Sequence, residues 1–151
     1  MSAGPPDGPA VRRVSSGTEW EPAVGYSRAV AVGDFVFVSG CTSVAGAEFR
    51  HGGDAYAQTA LAIANVGAAL AALGAGLADV VRTRMLVTDI SRWREYGQAH
   101  HEAFGGSRPA TSMIAVSGLI DPRMLVEVEA VAYRPGIGAS GPADVVAAAA
   151  L

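Results

Sequence analysis

Apolar residues dominate two short runs, residues 28–32 (Arg-Ala-Val-Ala-Val) and 35–38 (Phe-Val-Phe-Val), on either side of Gly33 and Asp34. Two strand-like runs around a glycine-containing pair predict a tight β-hairpin, because such turns need a residue that tolerates positive φ. From residue 54 to 73 the period changes: Tyr56, Ala60, Ile63, Gly67 and Leu70 recur at intervals of three and four, the spacing of one helix face. Small residues at Gly67, Ala68 and Ala71 let this long helix lie close to a sheet, and Gly74 is placed to end it. Residues 80–88 return to β-branched side chains with Arg82 and Arg84 alternating outward. Asp89 or Ser91 then caps a second helix whose stripe is Trp93, Gly97, His100 and Phe104. Two more strands, 110–116 and 124–133, are joined through Gly118 and the Asp121-Pro122 pair.

The order β-β-α-β-α-β-β predicts an α+β fold in which two helices cover one face of a mixed sheet. On the last strand Val126, Val128, Ala130 and Ala132 share one face, expected to meet the helices, while Leu125, Glu127, Glu129 and Val131 share the other. A face that mixes apolar side chains with two carboxylates suits a polar-lined contact between identical subunits, so a symmetric homo-oligomer is expected.

Composition narrows the chemistry. The chain has 151 residues, 50% hydrophobic and 17% charged, which fits one folded domain and excludes a disordered chain. Residues 1–10, with prolines at 5, 6 and 9, and residues 135–151, rich in glycine and alanine, read as flexible tails around a domain at 11–134. All 11 basic residues are arginines, so no lysine is present to form a Schiff base. A net charge of -3 lacks the basic footprint of nucleic-acid binding, and no nucleic-acid partner is expected. The longest apolar stretch, 60–78, is alanine-rich and interrupted by Asn65; it reads as a buried helix rather than a membrane span. No apolar signal core precedes it, and the single cysteine, Cys41, cannot form an internal disulfide. The expectation is a soluble cytoplasmic protein without a membrane partner.

Neither HExxH, GxxxxGK[ST] nor GxGxxG occurs. His100 and His101 are adjacent on a helix and point about 100° apart, so they do not readily face one ion. No metal and no nucleotide cofactor are expected.

Several segments together resemble the reactive intermediate deaminase family, the Rid or YjgF-like proteins, also described as endoribonuclease L-PSP-like. The carriers are Gly25-Tyr26-Ser27, the run from Phe35 to Gly40, Gln58-Thr59 through Asn65-Val66, the run from Asp79 to Thr83, Thr88-Asp89-Ile90, Arg108-Pro109-Ala110 and the run from Val126 to Ala130. The resemblance implies a chorismate-mutase-like α+β fold and a homotrimer with a small-molecule site in each intersubunit cleft. It also implies cofactor-free hydrolysis of reactive enamines and imines to ketones and ammonia. It assigns Glu127 as the catalytic, water-orienting glutamate and Tyr26 as a pocket tyrosine. Ser39, Gly40, Cys41, Thr111 and Met113 are read as substrate-site residues on the same basis.

At two positions the chain departs from the family's pattern. Thr111 stands where deaminating members carry an arginine for the substrate carboxylate, and Gly97 stands where an asparagine is often found. A threonine hydroxyl cannot offset the desolvation of a carboxylate as a guanidinium does. A substrate without an α-carboxylate is therefore expected. His100, one turn from Gly97, either enters the space left by the asparagine as an acid or base, or packs beside Trp93 and Phe104 as a core residue. Cys41 is either a nucleophile or a small buried hydrophobe. Competing readings of the whole are a non-catalytic trimer that binds a small metabolite, and a biosynthetic or catabolic enzyme using the same cleft.

Overall fold

The computed structural model describes residues 8–148. In chain order its elements are β1 (Val11–Ser15), α1 (Trp20–Val24), β2 (Ala29–Val32), β3 (Phe35–Cys41), a small ribbon of β4 (Val44–Ala45) and β5 (Glu48–Phe49), α2 (Ala55–Ala72), β6 (Val80–Val87), α3 (Trp93–Phe104), β7 (Ala110–Ala115), β8 (Val126–Tyr133) and β9 (Asp144–Val146). The main sheet has the order β7-β6-β8-β3-β2-β1-β9. Its neighbours are antiparallel except for the parallel pairs β6–β7 and β1–β9. The seven expected elements correspond to β2, β3, α2, β6, α3, β7 and β8, and the α+β class is as the sequence predicts.

The hairpin turn and the helix end follow the backbone chemistry of their glycines. Gly33 takes φ +57 between β2 and β3, and Gly74 takes φ +87 where α2 stops. On β8 the expected face is the buried one: Val126, Val128, Ala130 and Ala132 pack in the core with Ile63, Val66 and Leu70 of α2. Helix α2 is long and apolar enough to cross a membrane by length and composition, but half of that window is buried inside the protein.

Both predicted helix stripes need correction. In α2 the buried positions are Ala55, Gln58, Thr59, Ala62, Ile63, Val66, Ala69 and Leu70, so Ile63 and Leu70 are inside as expected but Ala60 is exposed. The stripe is shifted because two polar residues are buried with their bonding satisfied. Gln58 donates to the His51 and Arg123 carbonyls and accepts from the Leu125 amide, and Thr59 donates to the Ala55 carbonyl. In α3 the buried residues are Tyr96, Ala99 and Phe104, while Trp93 is 49% exposed and lies 4.3 Å from the Arg94 guanidinium.

The reading of residues 135–151 as a flexible tail is also corrected over 135–148, and 149–151 lie outside the described residues. Residues 137–139 form a single 3₁₀ turn with Ile137 buried, and β9 pairs with β1. Arg12 explains the ordering: it is 4% exposed, and its guanidinium donates to the carbonyls of Leu73, Ile137 and Pro142. A charged pair at Arg12-Arg13 conceals a strand whose inward arginine has carbonyl partners waiting for it. Of the predicted N-terminal tail, residues 1–7 lie outside the described residues, and 8–10 are exposed and irregular.

Among the described residues, part of the sheet face away from α2 and α3 is exposed. Phe35, Phe37 and Tyr133 stand on it, with the Phe35 ring 5.3 Å from Tyr133 and 6.5 Å from Phe37.

Candidate functional site

The site is built around an irregularity in β3. Its register against β8 shifts between Val38 and Cys41, a β-bulge that releases Ser39 and Gly40 from regular pairing. The bulge is pinned by Ser39, whose amide donates to the Arg28 carbonyl (2.9 Å) and whose hydroxyl donates to the Ser27 carbonyl (2.6 Å). Beside it the Glu127 carboxylate lies over Gly40, in space that a Cβ at that position would fill. Glycine is required there by close approach, since its φ is not in the left-handed region.

Glu127 opens into a cavity of about 490 Å³ whose lining includes Trp20, Tyr26, Arg28, Gly40 and Cys41. Helix α1 supplies one wall through Trp20 and Val24, and Ile120 and Met124 add apolar surface. A mostly apolar cleft with a few convergent polar groups has the character of a small-molecule site.

Behind this wall sits an arginine that sequence reasoning did not single out. Arg28 is 8% exposed; it donates to the Gly40 carbonyl, the Tyr26 hydroxyl (3.1 Å) and the Cys41 sulfur (3.5 Å). Its Nε faces Glu21 at 4.0 Å. Burial works against the Arg28 charge, but the nearby Cys41, Tyr26 and Glu21 outweigh it and raise its pKa above the ordinary guanidinium value. Glu21 in turn accepts from the Ser16 amide (3.2 Å), the Ser16 hydroxyl and the Thr18 hydroxyl (3.0 Å). Burial pushes the Glu21 carboxyl up, yet these bonds and Arg28 hold it below its usual value. The sequence signal for Arg28 is slight: a charge at the head of an apolar run reads as a strand boundary, whereas here it enters the core beside Tyr26.

Two titrations bear on chemistry. Burial raises the Glu127 pKa, Glu129 adds to the effect, and Arg28 opposes it. Glu129 forms a cross-strand ion pair with Arg84 at 2.6 Å. Cys41 is 3% exposed, and burial raises its thiol pKa despite the neighbouring Arg28, which leaves a protonated, packed thiol rather than an activated one.

The structure divides the predicted site residues into two groups. Tyr26, Ser39, Gly40, Cys41 and Glu127 line one cavity. Thr111, Met113, Gly97 and His100 are not among its lining residues. Strand register explains the separation: Thr111 and Met113 of β7 pair with Thr83 and Met85 of β6, both buried toward the helices, so they share the helix-covered side of the sheet. There the Thr83 hydroxyl meets His100 Nε2 at 2.8 Å and the Thr111 hydroxyl at 2.7 Å, and the His100 ring lies 4.7 Å from Phe104. Nothing lies within 4 Å of a Cβ built on Gly97. Among the described residues no cluster of three His, Cys, Asp or Glu side chains is placed to hold a metal ion.

The sequence matches the Endoribonuclease L-PSP family over residues 17–134. A Streptomyces coelicolor protein is 43% identical over 128 residues, covering 85% of this chain and 96% of its own length. The mouse protein named 2-iminobutanoate/2-iminopropanoate deaminase is 32% identical, covering 82% of this chain and 93% of its own length. Among solved structures, a Mycobacterium tuberculosis member of the YjgF/YER057c/UK114 family superimposes with a TM-score of 0.75 at 54% identity, covering 82% of this chain and 99% of that one.

Proposed function

Because the chain belongs to the endoribonuclease L-PSP family of YjgF and Rid proteins, we propose that it is a cofactor-independent hydrolase of a small reactive imine or enamine. The observation that carries this reading is the Glu127 carboxylate, partly desolvated and held over Gly40 at the edge of a cavity walled by Trp20 and Tyr26.

The chemistry needs one base and one donor. Glu127 holds a water and accepts its proton as the oxygen attacks the imine carbon; a raised carboxyl pKa brings the base closer to working pH. The resulting carbinolamine takes that proton on nitrogen and collapses, so that one imine and one water become one carbonyl compound and one ammonia. Tyr26 accepts from Arg28, which frees the phenol's own proton to donate toward the substrate. Thr111 stands in place of the family's arginine, and Arg28, the arginine in the cavity lining among the described residues, is already bonded to Gly40, Tyr26 and Cys41, which supports a substrate without an α-carboxylate.

The same reading includes a homotrimer whose contact surface is the exposed part of that sheet face, away from α2 and α3, and a reducing, cytoplasmic setting for the single buried thiol. Its test is direct. Imines released by a flavin oxidase are followed with a trapping agent, with and without the protein. Faster loss of the trappable imine, abolished in Glu127→Gln, is the expected result. A ligand that stabilises the protein and returns unaltered would favour binding without turnover.

A further inference from the structure

One wall of the cavity lies outside the stretch that matches the family. That match ends at residue 134, yet Ala147 and Ala148 line the cavity together with Trp20, Gly40 and Glu127. Hydrogen bonds hold this C-terminal segment to the chain's own first strand. The Arg12 guanidinium donates to the Ile137 and Pro142 carbonyls, the Arg13 amide to the Ala143 carbonyl at 2.7 Å, and the Ala147 amide to the Ser15 carbonyl at 2.8 Å. All of these bonds lie within one chain, so each copy carries the wall into any assembly.

Strand register locates the wall relative to the candidate base. Ser15 pairs with Val146, Val14 with Ala29, Ala29 with Val38, and Cys41 with Val128. Past these pairs the chain reaches Ala147 after β9, Ser16 after β1, Gly40 in the β3 bulge and Glu127 near the start of β8, so all four open at one end of the sheet. In the order β8-β3-β2-β1-β9, steps of about 4.8 Å place the base and the C-terminal segment roughly 19 Å apart across the sheet. The cavity is therefore elongated, and a short imine held at Glu127 leaves most of it unfilled. Between the two ends Trp20, Val24, Ile120 and Met124 supply apolar surface. Ser16 and Thr18 also line it, but both hydroxyls are donated to Glu21. An apolar chain on the ligand fills such a space by taking its own surface and that of the wall out of water. We propose that Ala147 and Ala148 determine specificity: they close the far side of the cavity and admit an imine that carries an unbranched apolar chain several carbons long. The small alanine side chains leave this room, and a larger side chain at residue 148 shortens it. The wall follows from the lining and the register, whereas its role in turnover rests on the hydrolase reading.

The test uses two imines that differ only in chain length, formed by a flavin amine oxidase from butylamine and from octylamine. Butanamide and octanamide serve as unreactive planar analogues for thermal shifts. Ala148 is exposed, so Ala148→Phe narrows the cavity without entering the core. Val146→Phe is the control, because Val146 is 77% exposed on β9 and outside the lining. The expected result is a lower KM for the octyl than for the butyl imine. Ala148→Phe shifts the ratio of the two KM values against the octyl imine by at least about tenfold, the scale of one misplaced methylene in an apolar pocket, and Val146→Phe leaves the ratio unchanged. In parallel, octanamide raises the Tm more than butanamide does, and Ala148→Phe removes the difference. Turnover of both imines with a ratio that Ala148→Phe does not change overturns the inference while the hydrolase reading stands. Chain-length-dependent stabilisation by the amides, lost in Ala148→Phe, without turnover of either imine upholds the wall and overturns the hydrolase reading. Neither turnover nor stabilisation overturns both.

Discussion

The Glu127 carboxylate occupies the volume that a side chain on Gly40 would need. This pairing joins β8 to the bulge of β3 and makes a backbone residue responsible for the position of a candidate base. Because the colliding atoms are the end of a flexible side chain, a methyl group at residue 40 displaces the carboxylate rather than the sheet. Gly40→Ala is therefore expected to cost stability at the low end of the about 1–3 kcal/mol typical of overpacking. Imine hydrolysis should fall by about 10²-fold or more, as for loss of a positioned base. Denaturant midpoints and the trapping assay measure the two effects separately. A variant with wild-type turnover would show that Glu127 acts from another position.

Glu127→Gln should separate stability from activity. Burial raises the folded-state pKa of Glu127, so in the interval above the ordinary carboxylate value the folded state holds more protons than the unfolded chain. Stability contributed by this group is thus lost as pH rises through its folded pKa. The amide removes that loss, so the variant should be more stable than wild type at neutral pH, with the difference closing below about pH 4. Activity should fall by about 10²–10⁴-fold. Unfolding midpoints at neutral and acid pH test the sign, and a variant less stable than wild type at neutral pH would refute it.

How much of this was legible in the sequence depended on whether each residue obeyed its local pattern. The β2–β3 turn at Gly33 and the alternation along β8 are readable because apolar period and burial coincide there. Strand β1 is hidden by Arg12, which is buried with three carbonyl acceptors, and α2 is misphased because Gln58 and Thr59 lie inside. The same exception conceals part of the site. Glu127, Tyr26 and the residues around Gly40 follow from a family resemblance, but Arg28 looks like a strand boundary until its partners at Gly40, Tyr26 and Glu21 are seen together. The resemblance gives Thr111 as a substrate-site position, and only the β6–β7 register shows that within one chain its hydroxyl faces Thr83.

His100 offers a second pH test, independent of catalysis. Burial, then the neighbouring His101, holds its pKa below the ordinary histidine value, and its ring nitrogen meets Thr83 at 2.8 Å. The unfolded chain therefore binds more protons than the folded one around that value, and stability falls as pH drops from about 7 to about 5. His100→Gln retains a polar group for Thr83 and cannot gain charge in this range, so its stability should vary less across the interval. Midpoints measured at both ends decide the matter: equal slopes in wild type and variant would remove His100 as the source.

The exposed part of the sheet face supplies the last prediction. Phe37 is 49% exposed, Phe35 43% and Tyr133 45%, on the side of the sheet opposite the helices. Three large aromatic side chains on one face expose apolar surface of the kind that marks a contact with another protein, and burying it is worth about 25 cal/mol per Å². Phe37 pairs with Val30 on one side and Val131 on the other, so it stands in the middle of this patch, away from the Glu127 cavity lining. Phe37→Asp places a charge where a subunit contact would have to desolvate it, yet the side chain lies outside the core and the fold should survive. The expected outcome is a trimer for wild type and a monomer for the variant by light scattering, with unchanged far-ultraviolet circular dichroism. A variant that remains trimeric would move the subunit interface to another surface. A monomer that retains full hydrolysis would show that each chain carries a complete site, whereas loss of turnover on dissociation would mean that Glu127 works in a cleft completed by a second copy.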